Sequence, residues 1–250
     1  MKKIMLIAGC SHASGSEIDG TPDSKYNREN SFGNVLAGKM GYEAINIAVS
    51  GSTNPSIARS ILEWFYQNYN PDTMEVFVVV GWTESTRIEI PSDRPHWYND
   101  MNKSSDWFPT SAINYLRINQ GYPGANDWER ELVKYYHEFI VRNLKYLEIT
   151  SANLVLQIEY FLKMHGVNYV MCNTMHMFDD NGHLRFYLDK IDKTKYYNLE
   201  DTSQDFYWKY RNAGYENPKA QYWHHDETPH RLYADELYNF ILPNRNEISQ

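Results

Sequence analysis

Cysteine is nearly absent. Cys10 and Cys172 are the only two in 250 residues, too few for a disulfide framework and in keeping with a reducing compartment. No apolar run approaches the ~20 residues of a membrane-spanning helix, so no membrane partner is expected. The apolar stretch after Lys2 and Lys3 is too short for a secretory leader core, and no small-residue cleavage site follows it. A cytoplasmic location is the expectation. Positive charge is also in deficit: 24 Lys and Arg stand against 32 Asp and Glu, a formal net charge of -8, and the basic residues are scattered. Nucleic-acid surfaces need a concentrated basic footprint, so no nucleic-acid partner is expected. Internal repeats and low-complexity segments are lacking. Aromatic residues, in contrast, make up 15% of the chain, with 21 Tyr and 7 Trp. That share suits Tyr-rich packing or an aromatic-lined groove.

The first half has a clear α/β rhythm. Lys3 to Ala8 reads as a strand that breaks into Gly9-Cys10-Ser11. Ser31 caps a helix with Phe32, Val35, Leu36 and Met40 at helical spacing, and Gly41 ends it. Ala44 to Ala48 is a second strand. Asn54 as N-cap and Pro55 at the first helical position open a helix with Ile57, Ile61, Leu62 and Phe65 on one face. Val76 to Val80 is wholly apolar and mostly β-branched, as a central parallel strand covered on both faces should be.

The second half is less regular. Residues 91–125 are polar and aromatic without a period and read as an insertion. Asn126 caps a helical stretch, a further helix runs from about Ser151 to His165, and Tyr169 to Cys172 is the fourth strand. Residues 176–222 form a second insertion with one helix near Asp205 to Arg211. Thr228 as N-cap and Pro229 then open a last helix that carries Tyr233, Leu237, Phe240 and Ile241 inward and stops at Pro243. The expected architecture is one α/β domain over 1–250, a flavodoxin-like three-layer α/β/α sandwich with a parallel sheet. The two insertions would rim its active edge.

Chemistry concentrates at two places. A serine presented where a strand ends lies at the edge where open α/β sheets collect ligands, and it becomes a nucleophile when a base is supplied. The chain offers that base far downstream, in Trp223-His224-His225-Asp226-Glu227-Thr228-Pro229-His230. The cluster has a rival reading as a metal site, but adjacent loop histidines seldom face one ion and no His-x3-His pattern is present. Histidines at 96, 137, 165, 176 and 183 have no partner visible in sequence. His12 lies beside Ser11 and is a candidate for lining the pocket. Glu84 and Arg87, just after the third strand, are candidates for binding a polar substrate or for a surface ion pair.

Four ordered blocks carry a family resemblance. Gly9-Cys10-Ser11, Asn46-Ile47-Ala48-Val49-Ser50-Gly51, Gly81-Trp82-Thr83-Glu84 and Gln221-Tyr222-Trp223-His224 are similar to the conserved blocks of SGNH (GDSL-type) hydrolases. More narrowly the chain resembles the divergent SGNH-like proteins of large tailed bacteriophages. The resemblance implies a serine-dependent ester hydrolase acting on an acyl group of a carbohydrate or other small polar molecule, with no cofactor. It implies Ser11 as nucleophile and His224 as base, with Ser11, Gly51 and Thr83 around the oxyanion. It equally admits an acyltransferase, or a weakened scaffold with a binding or phage-structural role.

The sequence departs from the family pattern at three positions. Cys10 stands where the family has aspartate, and packs as a small apolar residue. Thr83 replaces the oxyanion asparagine, so that Asn54 becomes a candidate to lend an amide in its stead. Gln221 occupies the place of the triad acid, and an amide cannot stabilise an imidazolium. Asp226 is the first candidate for that carboxylate and the Asp201 or Asp205 segment the next; a dyad without an acid is the remaining alternative.

Overall fold

The computed structural model describes residues 1–91, 115–118, 124, 126–178 and 182–245. Strand β1 (Lys2–Gly9) lies between β2 (Glu43–Asn46) and β3 (Met74–Trp82). β6 (Asn168–Asn173) and β7 (Tyr196–Tyr197) extend the sheet beyond β3. All four pairings are parallel, in the order β2-β1-β3-β6-β7. Taken by appearance within the sheet this is the flavodoxin-like order. A separate antiparallel pair joins β4 (Ile88–Pro91) to β5 (Tyr115–Ile118).

The pleat explains why the central strands are apolar throughout. Ile4, Leu6, Ala8, Val76, Val78 and Val80 face one side of the sheet, where α4 (Asn54–Asn68) and α6 (Leu144–Met164) cover them. Met5, Ile7, Phe77 and Val79 face the other, beneath α3 (Phe32–Met40), α8 (Phe206–Asn212) and α9 (Glu227–Arg245). A strand buried on both faces has no polar side to alternate with. The result is the expected three-layer α/β/α sandwich. Among the described residues no helix is long and apolar enough to cross a membrane.

Several expected boundaries shift. Thr53, not Asn54, caps α4: its hydroxyl accepts the Ser56 N–H at 3.2 Å. Asn54 is thereby freed for a longer-range contact. The helix expected from Ser151 starts a full two turns earlier, at Leu144. α9 starts at Glu227 rather than at a Thr228 cap, and Asp226 Oδ1 accepts the Thr228 N–H at 3.0 Å. Pro243 does not stop α9, which runs to Arg245. A proline so near the end forfeits one backbone bond, and the buried Leu237 and Ile241 face holds the helix to the sheet. The 176–222 segment is more than a rim. It supplies β7 to the sheet and α8 to one face, because Tyr196, Phe206 and Tyr210 bury their rings there. Most of the 91–125 insertion lies outside the described residues, and its described strand β5 pairs with β4.

Candidate active site

The C-terminal edge of the sheet gathers the expected blocks. β1 ends at Gly9, and the chain turns at once into the short α1 (Ser11–Ser14). The turn is so tight that a Cβ on Gly9 would sit 2.5 Å from Ala13 Cβ and 2.8 Å from the Gly81 carbonyl oxygen. Only glycine lets the backbone pass there. Asn46, at the end of β2, braces the turn from below by donating to the Ala13 carbonyl at 3.0 Å. A chain of buried hydroxyls does the same from the side. Ser14 Oγ donates to the Ser11 carbonyl at 2.9 Å and meets Ser16 Oγ at 3.0 Å, and Ser16 Oγ meets Ser50 Oγ at 2.5 Å. The Ser11 turn and the Gly51 loop are thus fixed to each other. Gly51 itself takes a left-handed φ of 74°, so its place in the turn is conformationally required.

Ser11 opens α1, and Cys10 before it provides no side-chain cap. Among the described residues no acceptor takes the backbone N–H of Ser11 or of Gly51. Unspent N–H groups beside a serine are the donors a tetrahedral oxyanion needs. Ser11 Oγ itself makes no hydrogen bond with a described residue, His224 included. Catalytic contacts are commonly long before substrate binds.

The decisive contact was invisible to motif spacing. Glu17 Oε2 lies 2.6 Å from His224 Nδ1. The same carboxylate accepts the Gln221 N–H at 2.9 Å and the Tyr222 N–H at 3.0 Å. Its side chain is 1% exposed and that of His224 12%. Burial by itself would raise the Glu17 carboxyl. The His224 ring and the two backbone N–H groups outweigh burial and hold it below its ordinary value, so it stays ionised. With a carboxylate on Nδ1, the proton sits on that nitrogen and Nε2 is left as the basic one. Glu17 adopts φ 63° and Trp223, just before His224, φ 66°. Non-glycine residues in this region carry strain that the surrounding structure must hold.

Other expected site residues find different places. Asp226 is turned to the start of α9 and His224 Nδ1 belongs to Glu17; helix geometry claims the Asp226 carboxylate as a cap. Asp201 caps a short turn through the Ser203 N–H at 3.1 Å, and Asp205 caps α8 through the Trp208 N–H at 2.9 Å. Asn54 does not offer its amide to an oxyanion. Nδ2 donates to the Thr83 carbonyl at 3.0 Å and to Ser151 Oγ at 3.1 Å, while Oδ1 accepts the Thr83 N–H at 3.0 Å. Its two donors are spent holding Thr83 in place. Thr83 Oγ1 is buried without a hydrogen-bond partner among the described residues. Cys10 packs inward with Sγ 3.2 Å from Thr174 Oγ1.

His12 is buried under Phe206 and Tyr207, its ring centroid 4.9 Å from that of His224. Burial first, then the neighbouring His224, His225, Arg87 and His230, push His12 well below its ordinary value, so it is neutral. Arg87 Nε donates to Glu84 Oε1 at 2.8 Å, which makes those two residues a pair with each other. The metal reading of the histidine cluster loses its donors. His225 lies against the Tyr207 and Tyr215 carbonyls, and His230 Nδ1 accepts the Phe32 N–H. Among the described residues no three metal-binding side chains converge. His183 faces Glu148 at 3.1 Å and His165 the Phe161 carbonyl at 2.8 Å, while His96 lies outside the described residues.

Comparisons with known proteins find only distant likenesses. No family model and no curated protein matches the chain. Among solved structures it is similar to the psychrotrophic esterase EstA from Pseudoalteromonas sp. at 12% identity and a TM-score of 0.42, covering 97% of this chain and 98% of that one. It is similar to the acetyl xylan esterase Est2A from the rumen bacterium Butyrivibrio proteoclasticus at 12% identity and a TM-score of 0.42, covering 99% of this chain but 64% of that one. A carbohydrate esterase described as having divergent catalytic and non-catalytic binding functions is similar at 12% identity and a TM-score of 0.41, with coverage of 97% and 65%. These neighbours are esterases; a likeness this distant bears on neither activity nor substrate.

Glu17 is the candidate site residue that sequence reasoning missed. Gln221 signalled that the acid had to come from elsewhere. A carboxylate six residues after Ser11 carried no spacing that singled it out from the other Asp and Glu residues.

Proposed function

We propose that this chain is a serine-dependent ester hydrolase of the SGNH type, with Ser11, His224 and Glu17 as its centre. The observation that carries the reading is the buried Glu17 carboxylate on His224 Nδ1. An ionised carboxylate in that position both fixes the imidazole tautomer and stabilises the imidazolium that forms during acyl transfer.

The steps follow from these roles. Ser11 Oγ attacks the ester carbonyl carbon as His224 Nε2 takes the hydroxyl proton. The carbonyl oxygen becomes an oxyanion, for which the Ser11 and Gly51 N–H groups are the candidate donors. Collapse breaks the bond to the alcohol oxygen, which leaves with the proton returned by His224. Water, deprotonated by the same Nε2, then attacks the acyl carbon; the bond to Ser11 Oγ breaks, His224 returns the proton to Oγ, and the acid leaves. A small polar or carbohydrate ester suits such a centre. An alcohol in place of water would make the same intermediate serve transfer.

The test is covalent labelling with a fluorophosphonate probe alongside hydrolysis of 4-nitrophenyl acetate. Labelling should fall on Ser11 and vanish, with turnover, in Ser11→Ala and His224→Ala. Labelling that persists in Ser11→Ala removes the nucleophile assignment. A folded wild type that neither labels nor turns over favours the binding scaffold.

A further inference from the structure

Arg211 differs from the arginines that hold a carboxylate. Arg28, Arg59, Arg87 and Arg185 each hold a carboxylate, as do the more exposed Arg130 and Arg231. Arg211, in the last turn of α8, holds none among the described residues. Its guanidinium lies instead between two aromatic rings, 5.8 Å from the Tyr207 centroid and 5.4 Å from that of Trp223. One donor meets the Tyr207 phenol in a side-chain hydrogen bond, and a guanidinium carries five N–H donors in all. The Tyr207 phenol is no counter-ion, since burial raises its pKa despite the charge and the hydrogen bond of Arg211.

Both rings lead to the candidate centre. Trp223 is the residue before His224 and is 69% exposed. The Tyr207 ring lies 5.4 Å from that of His12, which lies 4.9 Å from that of His224, both pairs tilted. The link is rigid, because the His225 ring nitrogens lie 3.0 and 3.1 Å from the Tyr207 and Tyr215 carbonyl oxygens. The α8 end is therefore clasped to the residue after His224. A half-buried cation without an acidic partner is unusual in a chain of net charge -8. Planar guanidinium edges match the geometry of carboxylate and phosphate oxygens.

We infer that Arg211 binds an anionic group of the substrate, a carboxylate or a phosphate, beside the reacting ester. This inference rests on the ester-hydrolase reading for its substrate, though not for the anion site itself. The ester it selects is one carried by an acidic molecule, held by a charge-assisted pair while His224 and Ser11 act on the neighbouring carbonyl.

The test uses succinate and inorganic phosphate as probes against wild type, Arg211→Met and Arg211→Lys. Each probe should inhibit 4-nitrophenyl acetate hydrolysis competitively, the better one naming the anion. Arg211→Met should raise its Ki about tenfold or more, as loss of a hydrogen bond to a charged group does. Arg211→Lys should restore part of the loss, and 0.5 M NaCl should weaken binding in the wild type. The kcat of the neutral ester should change far less than Ki. Equal Ki in all three proteins, or a fall in kcat as large as the rise in Ki, overturns the inference. Calorimetric titration of the same probes separates the two readings. Binding lost in Arg211→Met without any turnover sinks the hydrolase reading alone, and turnover without wild-type binding sinks the anion site alone.

Discussion

At Glu17 a single carboxylate touches the His224 ring and the backbone of Gln221 and Tyr222, so substitutions there act on chemistry and on loop geometry at once. Glu17→Gln keeps a hydrogen-bonding group but removes the charge that favours the imidazolium. Loss of kcat/KM by about 10³–10⁴ with the fold retained is expected, the scale seen when a triad acid becomes its amide. The sign of the pH effect follows from the depressed carboxyl. Its folded pKa lies below the unfolded value, so its stabilising contribution is full above about pH 4.3 and is lost as pH falls through the folded value. The wild type should therefore lose Tm on acidification more steeply than Glu17→Gln, in thermal scans from pH 6 down to pH 3. Equal slopes would show that the pair contributes nothing to folding.

Helix α8 shows how one cap can set a stability profile. Asp205 Oδ1 caps the helix through the Trp208 N–H, while Oδ2 is buried with no hydrogen-bond partner among the described residues. Burial pushes this carboxyl up to about 7, against the lowering effect of the Trp208 and Tyr207 N–H groups and His176. Here the folded pKa lies above the unfolded one. Stability is fullest below about pH 4 and declines as pH rises to the folded value. Asp205→Asn keeps an oxygen for the cap and cannot ionise. It should be more stable than wild type at pH 8, on the order of 1–3 kcal/mol, and equal or weaker at pH 4. Urea titrations at both pH values check this, and a variant weaker at both removes the buried charge from the account. The same element carries Arg211, so the cap also fixes the position of the inferred anion site.

For the whole molecule, two apolar layers on one parallel sheet set the stability, and α9 belongs to both the fold and the site. It packs Tyr233, Leu237 and Ile241 on the sheet and begins three residues after His224. Leu237→Ala should cost about 2–5 kcal/mol through lost burial and the cavity left behind. The urea midpoint should fall with the m-value unchanged. A changed m-value would mean that α9 unfolds apart from the sheet.

Val76 to Val80, the Gly9 break and the Asn126 cap were legible in the sequence because each depends on neighbours within a few residues. Apolar periodicity, a tight turn and an N-cap are local rules, and they carried the layer architecture and brought Ser11, Gly51 and Thr83 to one sheet edge. Two-residue β7 left no such pattern, since a strand that short has no period to read. Asn54 was misread for a related cause. Its sequence position fits a cap, yet Thr53 takes that duty and Asn54 reaches 29 residues away to Thr83. The acid is the clearest case. Sequence alone placed a serine at the C-terminal edge of a parallel sheet, raised His224 as its expected partner, and showed that Gln221 carries no carboxylate. Only the tertiary structure decided that Glu17 is the carboxylate on His224, because that choice depends on a left-handed backbone at residue 17 and on the path of a loop 207 residues downstream.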